Sequence, residues 1–344
     1  MSAPLSVVEL YCGIGGCAAA LGGRARVVAA VDQNRHALAV YSSNFSHPVV
    51  PRSVESLPET QWRNWEADLW WMSPPCPPHT RRGLQRDLDD PRARSFLAVV
   101  ERIASVRPRY VALENVPGFV GSRAHQHLRH ALDRSGYSVS ETQLCPTELG
   151  LPNRRQRFYL VAGLQDRGGP GLPGSGGAGL PGSGGAGLPG SGGAGLPGSG
   201  GAGLQPCGPL AAWPPRSGPL TRVAECLDPA PSPELWCEPA LAERYAGALD
   251  VVDPGDPLAR TACFTSAYGR SHVRSGSYLL TPSGLRRFSP AEILRLLDFP
   301  ATYRLPAHLP LRTAWSLVGN SVSARAVRWV LTAVPGLATP CLPT

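Results

Sequence analysis

The chain has 344 residues, of which 42% are hydrophobic and 17% are charged. This length and composition exclude a small disulfide-stapled peptide and a disordered chain, and no run of about 18 apolar residues predicts a membrane span. The formal charge is +8 and all 33 basic residues are arginine, which fits a nucleic-acid partner as well as a solvated basic surface.

The cysteines indicate the compartment. The nine cysteines include no Cys-x-x-Cys pair, which argues against a zinc ribbon or a disulfide framework. No basic segment followed by an apolar stretch stands near the first residue, so no secretory signal is predicted. We therefore expect a protein of the reducing cytoplasm, with the nucleus as a second location and no membrane association.

Short apolar runs alternate with helix-like segments before residue 165. The runs cover residues 7–11, 27–32, 69–72, 110–113 and 158–162. Such alternation predicts a mostly parallel, doubly wound α/β sheet. In that architecture the site lies at the carboxyl ends of the strands, and the polar motifs of this chain stand at those ends.

The first run leads into a glycine turn, and the second ends in an acid. In ELYCGIGG at 9–16, Gly13 and Gly15 allow a ligand to approach the backbone closely. Asp32 follows Gly13 by 19 residues, where a carboxylate can accept hydrogen bonds from the ribose of an adenosine cofactor. With Ala18 the glycines also match the GxGxxG/A pattern, so a nicotinamide dehydrogenase is an alternative at this point.

Three later motifs contain the residue types of a nucleophile and its helpers. Cys76 stands between two proline pairs and just before two arginines, which hold the thiol outside regular structure and favour the thiolate. Glu114 ends the fourth run, where a carboxylic acid could donate to a ring nitrogen. Strand alternation points Arg155 and Arg157 to one side. A loop carboxylate and surface arginines would explain the last two motifs equally well.

A low-complexity segment follows the fifth run. Residues 168–203 contain no charged and no aromatic side chain, and GLPGSGGA occurs there four times in tandem. One leucine per repeat cannot build a core, and glycine does not fall at every third position as collagen requires. We assign residues 166–210 to a flexible linker. Beyond it, residues 258–330 hold ten arginines and two acidic residues, which indicates a smaller basic domain.

The ordered set ELYCGIGG, AAVDQN, SPPC, LENV, NRRQRF and LVGNSVS resembles the motifs of the cytosine-5 methyltransferases. The resemblance implies a Rossmann-like, S-adenosylmethionine-dependent methyltransferase fold with a small target-recognition domain. It implies a catalytic and cofactor-binding domain at 1–165, target recognition at 211–285, and a segment at 286–335 that returns to complete the cofactor pocket. A dehydrogenase would leave SPPC, LENV and NRRQRF unexplained.

The resemblance also implies the chemistry. Cys76 adds to carbon 6 of cytosine, which makes carbon 5 able to attack the methyl group. Glu114 hydrogen-bonds or protonates N3, while Arg155 and Arg157 fix the base carbonyl and the thiolate loop. Because the ring carbon cannot be reached inside a helix, the base must be flipped out or come from an unpaired loop.

The motif positions imply the remaining residues of the cofactor pocket. Asn115 is expected to orient the Pro-Pro-Cys loop. No metal site is predicted, because three histidines at 125, 127 and 130 read as the solvent face of a helix. The implied cofactor-binding residues are Gly13, Ile14, Gly15, Gly16, Asp32, Val54, Glu55, Ser73, Asn320 and Ser321.

The segment TACFTSAYG at 261–269 resembles the Cys-Phe-Thr signature of the compact branch that methylates cytosine in the anticodon loop of tRNA, as in tRNA-Asp. This implies that Cys263, Phe264 and Thr265 bind substrate and that tRNA is the partner. The sequence does not determine the oligomeric state, for which a monomer is the favoured expectation. An unpaired loop offers unstacked bases, and the basic stretch could hold phosphates. DNA is the alternative substrate, and a small packed thiol is the alternative role of Cys263.

Two positions near the nucleophile depart from the family pattern. Pro77 stands where the family usually has glutamine, and His79 stands where it usually has an aromatic residue. A stiffer loop would hinder closure over the flipped base and lower the rate. A catalytically weak relative that binds tRNA and cofactor is therefore the second hypothesis.

Overall fold

The computed structural model describes residues 3–75, 93–165, 210–245 and 247–338. Cys76, Pro77 and His79 lie outside the described residues, as does the predicted linker apart from Leu210. Within the described ranges, no helix combines the length and the apolar composition needed to cross a bilayer.

The strands of the described residues form two sheets. A large sheet contains the first seven strands and a small sheet contains the other three. In chain order the strands are β1 (Ser6–Leu10), β2 (Arg26–Val31), β3 (Val49–Val50), β4 (Leu69–Met72), β5 (Tyr110–Asn115), β6 (Tyr137–Leu144), β7 (Arg157–Leu164), β8 (Asp250–Val252), β9 (Ser277–Thr281) and β10 (Gly284–Arg287).

The large sheet has the strand order β3-β2-β1-β4-β5-β7-β6. Neighbouring strands from β3 to β5 are parallel, and β7 is antiparallel to both β5 and β6. This arrangement confirms the predicted mostly parallel α/β sheet, and all five apolar runs form strands in it. The strand order reverses between β1 and β4, so the loops after these strands meet at the switch point where doubly wound sheets bind ligands.

Helices cover both faces of the large sheet, and one helix packs against β10 of the small sheet. Within the described residues they are α1 (Gly16–Leu21), α2 (Arg35–Ser42), α3 (Glu59–Asn64), α4 (Ala93–Val106), α5 (Arg123–Arg134), α6 (Pro239–Arg244), α7 (Pro290–Leu296), α8 (Leu311–Gly319) and α9 (Ala324–Leu331).

Strand alternation distributes the core between the two faces. Val8 and Trp70 point to the face covered by α3, α4 and α5, whereas their neighbours Val7 and Trp71 point to the face covered by α1, α8 and α9. Burial on both sides explains why these strands read as continuous apolar runs.

The small sheet packs against the C-terminal helices. β9 pairs in parallel with β8 and antiparallel with β10. Phe264 makes edge-on ring contacts with Tyr268 and Phe288, and the indole of Trp315 in α8 donates to the carbonyl of Phe288 at 2.9 Å. Because α9 packs against α1, the C-terminal helices connect the small sheet to the loop after β1.

Candidate active site

A cavity of about 1410 Å³ lies at the carboxyl ends of β1, β2, β4 and β5. Ser73 and the two prolines that precede Cys76 are part of its lining. Gly15, Asn115 and Phe264 do not line it, and Cys76 lies outside the described residues. The predicted site residues that do line the cavity are Gly13, Ile14, Gly16, Asp32, Val54, Glu55, Ser73, Glu114, Arg155, Arg157, Cys263, Thr265, Asn320 and Ser321.

Asp32 fixes the glycine turn after β1. The N–H of Gly13 donates to one carboxylate oxygen of Asp32 at 2.9 Å, and the N–H of Asn34 donates to the other at 2.8 Å. The side chain of Asn34 in turn caps the N-terminus of α2. Burial raises the pKa of Asp32, against backbone hydrogen bonds that lower it. A hydrogen-bond acceptor for a ribose therefore stands beside the turn.

Close packing requires glycine at two positions of this turn. Gly15 has a φ of +85°, a conformation that side chains disfavour. A Cβ at Gly16 would lie 2.4 Å from Cγ2 of Val322, in the segment between α8 and α9. The turn is thus in direct contact with the C-terminal segment. A Cβ at Gly13 would meet no atom within 4 Å, so the backbone there is open to close approach by a ligand.

Glu9 is a buried acid of β1 that the sequence analysis did not single out. Its Oε1 accepts from the N–H of Cys17 at 3.0 Å, and the hydroxyl of Tyr41 lies 3.3 Å from Oε2 and 2.9 Å from Nδ1 of His47. Burial raises the pKa of Glu9 to about 8, against hydrogen bonds from Cys17 and Tyr41. A carboxyl group whose pKa is raised by burial therefore lines the cavity. The sequence signal was one acid inside an apolar strand.

The other end of the cavity holds a buried ion pair. Nε of Arg157 lies 3.1 Å from Oε1 of Glu114, and only 14% and 6% of the two side chains are exposed. Glu114 pairs with Tyr159 across β5 and β7, so Arg157, two residues earlier, falls on the same face of the sheet. A carboxyl group and a guanidinium are therefore presented together to whatever occupies this end.

Arg155 is buried and bonded to two distant segments. Its Nη1 donates to the carbonyl of Phe264 at 2.9 Å and lies 3.2 Å from Sγ of Cys263. Its Nη2 donates to the carbonyls of Gly319, at 3.2 Å, and of Ser321. Burial lowers the pKa of this guanidinium, and a neighbouring arginine adds to that effect. Its hydrogen bonds thus join the start of β7 to residues 263–264 and 319–321.

The thiol of Cys263 lies between two guanidinium groups. Sγ is 3.2 Å from Nη1 of Arg155 and 3.8 Å from Nη2 of Arg157. Burial alone would raise the pKa of the thiol, but the charges and hydrogen bonds of both arginines outweigh burial and lower it. Both arginines reach the same sulfur atom, although Arg155 precedes β7 and is not part of the strand.

Phe264 and Asn115 support the site from outside the cavity. The ring of Phe264 is buried in the core, and only its carbonyl reaches Arg155. Oδ1 of Asn115 accepts from the N–H of Val116 at 2.8 Å, which fixes the turn after β5. Cys76 of the Pro-Pro-Cys loop lies outside the described residues, so the orienting role of Asn115 stays a prediction.

The two ends of the cavity suit two ligands that meet in the middle. Asp32 and the glycine turn fit a nucleoside with a polar tail, as S-adenosylmethionine has. Glu114 and Arg157 fit a heterocycle with adjoining ring nitrogen and carbonyl groups. Within the described residues, no cluster of three or more metal-ligating side chains is present.

Comparison with known proteins decides the family. Residues 5–170 match the family model described as C-5 cytosine-specific DNA methylase. A Mus musculus protein named tRNA (cytosine(38)-C(5))-methyltransferase is 30% identical to this chain, over 96% of the chain and 93% of its own length. The chain belongs to the cytosine-5 methyltransferase family.

Solved structures of similar proteins share the fold of this chain. The Entamoeba histolytica methyltransferase EhMeth has a TM-score of 0.78 at 21% identity, over 96% of this chain and 98% of that one. A mutant of Spodoptera frugiperda DNMT2 has a TM-score of 0.73 at 25% identity, over 94% of this chain and 97% of that one. The predicted fold, family and methyltransferase class of this cytosine-5 methyltransferase are confirmed, and the dehydrogenase alternative is excluded.

Proposed function

We propose that this cytosine-5 methyltransferase methylates carbon 5 of a cytosine in the anticodon loop of tRNA, with tRNA-Asp as the expected species. The observation that carries the proposal is the presence of Asp32, Glu114, Arg157 and Cys263 in one cavity. Relatives matched along nearly the whole chain, from Mus musculus to Schizosaccharomyces pombe, are named tRNA (cytosine(38)-C(5))-methyltransferase.

The cofactor end of the cavity is proposed to hold S-adenosylmethionine. When bound, this cofactor supplies an electrophilic methyl group. Asp32 would accept hydrogen bonds from the ribose hydroxyls, and the glycine turn would contact the methionine part. Val54 and Glu55, which line the cavity after β3, would flank the adenine, and Asn320 would close the pocket.

The base end of the cavity is proposed to perform covalent catalysis. The thiolate of Cys76 forms a bond to carbon 6, and the electron pair of the 5,6 double bond moves to carbon 5. Glu114 holds a proton at N3, where negative charge gathers, and Arg157 orients Glu114 through their ion pair. Carbon 5 then takes the methyl group with its electron pair, and S-adenosylhomocysteine is the leaving group. A base removes the proton of carbon 5, elimination restores the double bond and releases Cys76 as thiolate, and N3 gives its proton back to Glu114.

Positive charge beside the cavity supports a nucleic-acid substrate. Arg270 and Arg274 are exposed on the segment between Thr265 and β9. Nη2 of Arg270 donates to the carbonyl of Ser266, and Ser266 lines the cavity. Guanidinium groups here suit the phosphates of a tRNA stem, while the unstacked bases of an anticodon loop can enter without melting a duplex.

DNA is the second candidate substrate. A Dictyostelium discoideum relative named DNA (cytosine-5)-methyltransferase is 36% identical over 46% of this chain. The two candidates are separated by incubating the full chain with labelled S-adenosylmethionine and either total tRNA or genomic DNA. We expect label in tRNA, at an anticodon-loop cytosine located by bisulfite sequencing, and label confined to DNA would overturn the proposal.

Two variants test the covalent step. Cys76→Ala should abolish methyl transfer, whereas the matched control Cys237→Ala, in a thiol of the small-sheet region, should retain it. RNA that contains 5-fluorocytosine at the target should trap the wild-type protein in a covalent complex. RNA binding without trapping or transfer would instead support the weak relative, in which case Pro77→Gln should raise the rate.

A further inference from the structure

We propose that Arg155 is a positioning residue that couples occupancy of the cofactor site to binding of the target base, and so makes the two ligands bind cooperatively. The proposal rests on the proposed function in that RNA is taken as the second ligand. It assigns Arg155 a role between the two sites instead of a contact with the base carbonyl.

The N–H donors of Arg155 are almost all hydrogen-bonded within the protein. A guanidinium has five N–H donors, and the four on Nη1 and Nη2 face the carbonyls of Phe264, Gly319 and Ser321 and the sulfur of Cys263. The remaining donor, on Nε, is buried and has no acceptor among the described residues. The donors that could turn towards a base are therefore already engaged by protein acceptors.

The acceptors belong to two segments that both line the cavity and that the proposal assigns to different ligands. Asn320 and Ser321 follow α8 on the cofactor side, whereas Cys263 and Thr265 lie with the base-binding residues. The segments also touch directly, because a Cβ at Gly319 would lie 2.3 Å from the carbonyl of Thr265. Arg155 thus bonds to both sides of a backbone contact between the two sites.

The chemistry of the guanidinium turns this contact into coupling. Arg155 is 4% exposed, so displacement of either segment would leave a buried, charged donor unpaired, which is costly. Its planar fork holds fixed angles between donors, so the carbonyls of residues 264, 319 and 321 are satisfied together in one arrangement. A ligand that orders one segment therefore favours the arrangement that the other ligand needs.

Binding measurements test the coupling. The affinity of S-adenosylhomocysteine, which cannot react, is measured by calorimetry with and without saturating tRNA for the wild type, Arg155→Lys and the control Arg154→Lys. Arg154 is the exposed neighbour. We expect tRNA to tighten wild-type binding at least about fivefold, and the same factor must appear when tRNA binding is measured with and without S-adenosylhomocysteine.

The two variants should separate coupling from simple loss of affinity. In Arg155→Lys one ammonium group cannot reach both segments. The ratio of the dissociation constants of S-adenosylhomocysteine without and with tRNA should therefore fall to about one, even though each ligand still binds. Arg154→Lys should keep the wild-type ratio. A wild-type ratio of one, or an unchanged ratio in Arg155→Lys, would overturn the proposal.

Hydrogen exchange on the wild type decides the question if Arg155→Lys does not fold. S-adenosylhomocysteine alone should slow amide exchange at residues 263–266, which the proposal places on the base side. Absence of this protection would refute the coupling without reference to RNA. If the protein fails to methylate tRNA, the proposed function fails, whereas methylation with an unaltered binding ratio removes only the role of Arg155.

Discussion

Glu114 and Arg157 form an ion pair with 3.1 Å between Oε1 and Nε, at the end of the cavity opposite Asp32. The side chains come from the adjacent strands β5 and β7 and are almost hidden from solvent. A carboxyl group held in this way is aimed by its partner and cannot rotate freely. Its loss should therefore affect the chemical step more than the binding of substrate.

The first prediction concerns Glu114→Gln. The variant keeps the shape of the side chain but cannot exchange a proton with N3, so kcat should fall by a factor on the order of one hundred or more. The affinity for tRNA, measured by filter binding, should stay within about threefold. Glu141→Gln, which alters a surface ion pair with Arg129, is the control and should leave both quantities unchanged. Equal losses of kcat and affinity would contradict the N3 role.

The second prediction concerns the buried carboxyl group of Glu9. Its pKa is about 8 in the folded protein against 4.5 ordinarily, so the folded state keeps the proton over a range in which the unfolded state loses it. This contribution to stability is fully present below pH 4.5 and is lost as the pH rises towards 8. Between pH 5 and pH 7 the free energy of unfolding of the wild type should therefore fall by on the order of 3 kcal/mol relative to that of Glu9→Gln.

Urea unfolding at a series of pH values measures this difference. Glutamine resembles the protonated acid, because it is uncharged and its amide oxygen can accept from the N–H of Cys17. Glu9→Gln should therefore unfold with a flatter pH dependence, while the exposed control Glu101→Gln should follow the wild type. Parallel pH profiles for the wild type and Glu9→Gln would show that Glu9 is ionised in the fold.

Sequence reasoning located the strands and motifs because their signals are local. Apolar runs that end in glycine or in an acid predicted the carboxyl ends of β1, β2 and β5, where Gly13, Asp32 and Glu114 stand. The sequence analysis did not predict β3, because two residues show no periodicity. It did not predict β6 either, because the polar residues that alternate along this strand are partly exposed.

The contacts of Arg155 could not be predicted for a different reason. Its partners are backbone carbonyls at residues 264, 319 and 321, and a carbonyl has no residue type that a pattern can detect. The environment of Glu9 depends likewise on Tyr41 and His47, which α2 and the following loop bring to β1. The role of a side chain that depends on packing between distant segments can therefore be recognised only in the folded structure.

The third prediction concerns the thiol of Cys263. Arg155 and Arg157 lower its pKa below the ordinary 9.0 despite burial, so the thiolate contributes stability that is present above pH 9 and is lost as the pH falls through the lowered pKa. The difference in unfolding free energy between the wild type and Cys263→Ser should therefore grow as the pH rises towards 9. Chemical unfolding at several pH values measures it.

A second cysteine provides a control of opposite sign. Burial raises the pKa of Cys237, against a weaker opposing effect of Arg287, so its contribution is lost as the pH rises. The difference in unfolding free energy between the wild type and Cys237→Ser should therefore become smaller at high pH. The same trend in both variants would mean that the two guanidinium groups do not hold a thiolate at residue 263.

The last prediction concerns Asp32, whose two oxygens accept from the N–H groups of Gly13 and Asn34. Asp32→Ala removes the acceptor for a ribose and also releases the glycine turn, since both N–H groups lose their partner. A hydrogen bond to a charged group contributes about 1.5–3 kcal/mol, and about 1.4 kcal/mol corresponds to tenfold in affinity. The dissociation constant of S-adenosylhomocysteine, measured by calorimetry, should therefore rise at least about tenfold. Asp133→Ala, at an exposed position of α5, should leave it unchanged, and an unchanged constant in Asp32→Ala would remove this carboxylate from the cofactor site.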